Sequence, residues 1–122
     1  MLNQVILVGR LTTDVKKKTI GDKNFAEINL AVNRNYKNSE GVYETDFIEV
    51  EVWNAVADSA VEYCRKGDLI GIKGRLETEI YQDENGIDRV EKIIKAEKVT
   101  FLSAQPKPQR RIENGVDTED EI

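Results

Sequence analysis

Between Phe25 and Arg34 (FAEINLAVNR) apolar and polar residues alternate with a period of two, which gathers Ala26, Ile28, Leu30 and Val32 on one side. Side chains of a strand point to opposite faces in turn, so this segment predicts a half-buried strand with those four residues inward. Asn3–Leu11 (NQVILVGRL) is apolar and β-branched nearly throughout, as a buried strand reads, and Gly9 inside it marks a bulge or a close backbone approach. Tyr36–Tyr43 contains Asn-Ser-Glu-Gly and predicts a hairpin loop leading into a third strand over Glu44–Trp53. The period then changes. Ala57, Ala60, Val61 and Cys64 recur at helical spacing within Ala55–Arg65, with Asn54 as a candidate N-cap and Gly67 just past the end. Strands resume over Asp68–Tyr81 and Ile87–Leu102, joined by QDENG, whose Asn85-Gly86 is a strong hairpin signal.

Three strands, one short helix and two long strands describe an all-β domain with a single helix. An OB-fold, the five-stranded Greek-key barrel, commonly has a helix between its third and fourth strands, and that is the expected architecture. A parallel βαβ sheet is disfavoured because only one helix separates the strands. From Ser103 onward neither period persists, and both prolines of the chain, Pro106 and Pro108, fall there. The expected division is an OB-fold domain over residues 1–104 and a disordered tail with an acidic tip over 105–122.

The outward side of these strands carries the chemistry. In TDFIEVEVWNA (residues 45–55), Ile48, Val50 and Val52 share one parity, while Phe47, Glu49, Glu51 and Trp53 share the other. In the strand after the helix, Ile70, Ile72, Leu76 and Ile80 take the core parity, and Lys73, Arg75, Glu77, Glu79 and Tyr81 the other. Tyr36 sits at the hairpin mouth between Arg34 and Lys37. Four aromatics on three segments thus fall outside the expected core beside cations, with Arg34, Lys73 and Arg75 placed to meet phosphates. Single-stranded nucleic acid is held by this combination, each base stacked on a ring contributing roughly 1–3 kcal/mol. The ordinary alternatives are a subunit interface or a loop packed over Phe47 and Trp53, and simple exposure for Tyr36 or Tyr81 alone. A run such as Lys16–Lys18 is more often merely solvated.

Charge changes this picture less than it first suggests. The net charge is −5, yet beyond a Debye length of roughly 8 Å charges are largely screened, so local clustering decides. Residues 1–104 hold 15 Lys and Arg against 18 Asp and Glu, and the last six residues, DTEDEI, hold four acids and no base. With no His, a single Cys64 on the apolar helix stripe and no nucleophile–base arrangement, no metal, cofactor or catalytic role is expected. Gly71 and Gly74 are not followed by the Lys-Ser/Thr of a phosphate loop. No signal-like segment follows Met1, and no apolar run approaches the roughly 20 residues of a membrane span. A cytoplasmic, nucleoid-associated protein without membrane contact is expected.

The ordered series NQVILVGRL, INLAVNRNY, TDFIEVEVW, EYCRKGD and GIKGRLET with its Gly-containing hairpin resembles the bacterial-type single-stranded DNA-binding protein family, from about Asn3 to Leu102. The resemblance implies an OB-fold homotetramer that wraps single-stranded DNA in replication, recombination and repair. It implies stacking rings at Tyr36, Phe47, Trp53 and Tyr81, the residues that the alternation also selects. It further implies phosphate contacts at Lys18, Lys37, Arg65 and Lys66, and a subunit contact along the first strand at Asn3, Val5 and Leu7. In such proteins an acidic tip recruits replication and repair proteins, which here would be Asp117, Glu119, Asp120, Glu121 and Ile122. Three departures stand out. Glu49, Glu77 and Glu79 replace bases found in some members, Ile48 replaces a His of the tetramer interface, and DTEDEI lacks the family's Pro-Phe ending. An OB-type RNA-binding module and a protein-interaction adaptor are the alternative readings.

Overall fold

The computed structural model describes residues 1–103. Six strands and one helix follow in the order β1 (Val5–Leu11), β2 (Lys17–Ile20), β3 (Lys23–Lys37), β4 (Tyr43–Trp53), α1 (Asn54–Tyr63), β5 (Leu69–Gln82) and β6 (Asp88–Phe101). Neighbouring strands run β1-β5-β6-β4-β3, and β1 also pairs with β3, which closes a five-stranded barrel. The β4–β6 pairing is parallel and the others are antiparallel, the strand order of an OB-fold.

The barrel is filled by the inward parity of the strands. Ile28, Leu30, Val50, Val52, Ile70 and Ile72 are buried, as expected from the alternation, and Ala57, Ala60 and Cys64 bring the helix into the same cluster. Closure needs two backbones to approach closely at Gly9, where a Cβ would stand 2.6 Å from the carbonyl oxygen of Ala31. Gly74 serves the same end on β5, where a Cβ would collide with the carbonyl of Lys95 beside the β5–β6 register shift. So the Gly9 reading resolves as close approach.

Three expectations are corrected. The first is β2, a short arm paired with β3 through Lys17↔Ala26 to Ile20↔Lys23, where the sequence pattern predicts only a solvated basic run. All four of its residues are exposed, so no alternation betrays it. Asn54 is not the N-cap. That place belongs to Trp53 without a side-chain cap bond, because Asn54 itself turns the chain into the helix at φ 54°. Leu76 and Ile80 keep their parity but leave the core. β1 pairs with β5 only as far as Gly74, and β4 pairs with β6 only at Ile94 and Lys95. Beyond that point β5 and β6 project as a two-stranded hairpin, and Ile80 is 71% exposed.

Replacing Gly9 with Ala should therefore destabilise the barrel by about 1–3 kcal/mol through overpacking at the closure. Urea unfolding measures it, and an unchanged midpoint would contradict the close approach.

Candidate nucleic-acid interface

Because Val50 and Val52 fill the barrel, the residues between and beside them must face outward. Phe47 is 77% exposed and lies opposite Ala31, whose methyl leaves the ring uncovered. Trp53 is half-buried and faces Phe25 across the β3–β4 ladder, the two rings stacked with centroids 4.9 Å apart and planes 22° from parallel. Its indole N–H donates to Glu51 at 3.1 Å. That bond gives Glu51 a structural task between the rings. Phe25 was not singled out from sequence, although the same alternation puts it outward, one residue before the inward Ala26. Tyr43 was also missed. It shares the parity of Phe47, is exposed, and has the ammonium of Lys37 5.6 Å from its ring centroid.

Tyr36 and Tyr81 are carried on the two hairpins, 59% and 52% exposed. Both hairpins turn in the same way. Asn38 accepts from the N–H of Glu40 and Val42, and Asp83 accepts from the N–H of Asn85 and Ile87, with Gly41 and Gly86 at positive φ. An Asx side chain satisfying the N–H groups two and four residues on is what fixes each loop. Tyr36 lies within a register irregularity between Asn33 and Lys37, and the guanidinium of Arg34 is 6.0 Å from its ring.

The cations are distributed more widely than the sequence reading expects, and several are already engaged. Arg34 donates to both carboxylate oxygens of Asp46 at 3.1 and 3.0 Å and to Glu44 at 2.9 Å. Lys18 pairs with Glu27 at 3.2 Å while its ammonium stands 5.9 Å from the Phe25 ring. Arg75 is held by Glu77 at 2.6 Å. Lys73 is exposed on β5, outward beside Ile6 of β1. Arg65 and Lys66 belong elsewhere. The Arg65 guanidinium donates to the carbonyls of Val61, Glu62 and Cys64 at the end of α1, and Lys66 lines a separate cleft with Arg10.

On β1, Val5 and Leu7 take the parity of Gly74 and Ile72, and Leu7 packs on the core. The outward apolar residues are Ile6 and Val8. Asn3 is committed within the chain: its amide donates to the carbonyl of Leu76 at 2.7 Å, and its oxygen accepts from the N–H of Leu76 at 3.0 Å. Asp117, Glu119, Asp120, Glu121 and Ile122 lie outside the described residues.

The closed barrel, its strand order and its aromatic outer face define an OB-fold binding domain. Residues 2–102 match the single-strand binding protein family, and the chain belongs to that family. It is 38% identical over 108 residues to single-stranded DNA-binding protein B of Bacillus subtilis (strain 168), covering 88% of this chain and 96% of that protein. Single-stranded DNA-binding protein 3 of Streptococcus agalactiae is 34% identical over 116 residues, 94% of this chain and 84% of its own length. The single-stranded DNA-binding protein of Streptococcus mutans is 41% identical over 87 residues, 70% of this chain, and the match spans only 53% of that longer protein.

The ion pairs leave a signature in titration. The Arg34 hydrogen bond holds Asp46 below the ordinary aspartate value, and Lys95 and then Arg75 lower Glu77. Asp83 is lowered chiefly by the Ile87 N–H, then by Arg89 and the Asn85 N–H. A carboxylate lowered in the folded state contributes stability above its unfolded value and loses that contribution as pH falls through the folded value. These pairs therefore hold throughout the neutral range and fail only in acid. Carboxyl carbon titrations should give these three residues midpoints below those of the unfolded chain. Equal or higher midpoints would contradict the pairing.

Proposed function

We infer that this protein binds single-stranded DNA with little sequence preference, coating and protecting strands exposed in replication, recombination and repair. The observation that carries the reading is the exposure of Phe47 and the outward Phe25–Trp53 stack on strands whose other parity forms the core. Flat rings take bases of any identity, and cations beside them take the phosphates. Tyr36 and Tyr81 extend the surface onto both hairpins, with Lys37 and Lys73 reached first because they have no carboxylate partner among the described residues. It acts as a binding protein, not as an enzyme, in the cytoplasm at the nucleoid. Among the described residues no helix is long and apolar enough to cross a membrane.

The assembly proposed is a homotetramer using the first strand, with Ile6 and Val8 supplying the apolar contact in place of Val5 and Leu7. A light-scattering mass of four chains fits this assembly, and a single-chain mass contradicts it. The acidic residues Asp117–Glu121 serve as the attachment point for replication and repair proteins. A chain lacking residues 117–122 should lose those proteins and keep oligo(dT).

Trp53 is the only tryptophan, so its fluorescence reports directly on the ring row. Poly(dT) should quench it, with an affinity that falls as salt rises because each phosphate contact releases counterions. Phe47→Ala should weaken binding by about 1–3 kcal/mol with the fold intact. Absence of both quenching and binding at low salt would overturn the reading.

A further inference from the structure

The β3–β4 ladder lapses just before its turn. Asn33 pairs with Thr45 and Lys37 with Tyr43, so Arg34, Asn35 and Tyr36 of β3 stand against Glu44 alone on β4. Extra residues of this kind interrupt the backbone hydrogen bonds and re-aim a side chain, here the exposed Tyr36. The other hairpin has no such gap: β5 and β6 pair in continuous register from Gly74↔Ala96 to Gln82↔Asp88. A two-stranded ribbon is marginal in water even when fully paired. One that carries a gap needs another tie between its strands.

Side chains supply that tie. Arg34 donates from all three guanidinium nitrogens: from Nε and Nη2 to the two oxygens of Asp46, at 3.1 and 3.0 Å, and from Nη1 to Glu44 at 2.9 Å. The second oxygen of Glu44 accepts from the Asn38 amide at 3.0 Å. Asn38 in turn accepts from the N–H groups of Glu40 and Val42, at 2.8 and 3.0 Å, and so holds the turn. One chain of hydrogen bonds thus runs from Asp46, across the gap, to the tip of the loop. The Tyr36 ring lies against it, 6.0 Å from the guanidinium carbon. Isolated exposed ion pairs contribute little, but a bidentate fork within a network is the exception. Arg34 and Asp46 take the parity of Val32 and Ile48, so the fork lies on the face of the sheet opposite Phe47.

We propose that Arg34 is a positioning residue, a staple that replaces the missing ladder rungs and holds Tyr36 and the turn in place, and that it is not a phosphate contact. The proposal rests on the single-stranded DNA reading and withdraws one cation from its phosphate path. Two carboxylates around one guanidinium leave the cluster with a net negative charge, which repels a phosphate. Taking a phosphate up would also break the tie and leave the hairpin to be ordered at the moment of binding, a cost that preorganisation avoids. Lys37, three residues on, has no carboxylate partner among the described residues and is the cation of this hairpin that a phosphate can reach.

The test takes two readings on the full chain: amide hydrogen exchange of the hairpin without DNA, and binding of labelled oligo(dT) by anisotropy across a salt series. Arg34→Met should speed exchange at Glu40 and Val42 and weaken binding several-fold, while the slope of log affinity against log salt stays unchanged. Asp46→Asn should do the same, because it breaks the other half of the fork. Arg34→Lys keeps the charge without the fork and should behave as Arg34→Met does. A phosphate role predicts otherwise on each count. Arg34→Met would then flatten the slope by about 0.7, the loss of one single-strand phosphate contact. Asp46→Asn would raise affinity by freeing the cation, and Arg34→Lys would bind nearly as the unaltered chain does. Any of these results overturns the proposal, as does faster exchange with unchanged affinity, the mark of a tie that serves stability alone. If Arg34→Met fails to fold, Asp46→Asn and Glu44→Gln, both at half-exposed carboxylates, carry the test. If Phe47→Ala weakens binding while the hairpin variants leave it unchanged, the staple is overturned and the DNA reading stands. If the unaltered chain binds no oligo(dT), both fall.

Discussion

The barrel wall depends on the register of β4. This strand lies between β3 and β6, and its inward residues Val50 and Val52 are completely buried. Fully burying an aliphatic side chain contributes about 1.5–3 kcal/mol, so a slip by one residue would forfeit several kcal/mol and thrust Glu49 and Glu51 into the core. The same alternation that fills the interior has no choice about Phe47 and Trp53. Two large rings are held outward on a paired, rigid strand, where their presentation costs no ordering at the moment of binding. The closure of the wall at Gly9 and Gly74 supports that register from both sides of the sheet.

A second constraint is electrostatic. Residues 1–104 hold more carboxylates than cations, and Arg34, Lys18, Arg75 and Lys95 are all neutralised within the chain. Such exposed pairs contribute little to stability, typically about 0–1 kcal/mol. Their effect is on binding: a phosphate meets a cation that already has a partner and gains only the difference. A negative net charge is thereby compatible with an aromatic outer face: on the proposed reading stacking supplies the attraction, and the ion pairs limit what each phosphate gains.

Where one face of a strand was buried, the sequence was sufficient to place it. Ala26, Ile28, Leu30, Val50, Val52, Ile70 and Ile72 follow a strict period, and the outward position of Phe47, Trp53 and Tyr81 comes from the same period. It failed where burial did not accompany pairing. β2 is exposed on both sides, so KKTI carried no pattern, although Gly21-Asp22 between its paired ends is a two-residue hairpin signal. Leu76 and Ile80 continued the pattern past the point where the barrel ends, and hydropathy does not mark where a partner strand stops. Phe25 was legible and passed over, being the outward neighbour of an inward Ala26. Lys95 and Glu77 were not, because their meeting with Arg75 depends on the β5–β6 register and its shift at Gly74. Arg65 shows another limit: its sequence position beside a helix end does not reveal that one guanidinium nitrogen donates to the carbonyls at the end of α1.

The central claim is that bases lie on the outward parity of β3 and β4 and on the two hairpins that extend this face. Backbone amide chemical shifts recorded while a short oligo(dT) is added test this most directly. The account predicts shifts concentrated at Phe25, Phe47, Trp53, Asn54 and the facing residues of β5 and β6, with the tips of both hairpins also affected. Shifts confined to the cleft of Arg10 and Lys66, or an unaltered spectrum at saturating oligonucleotide, would contradict it.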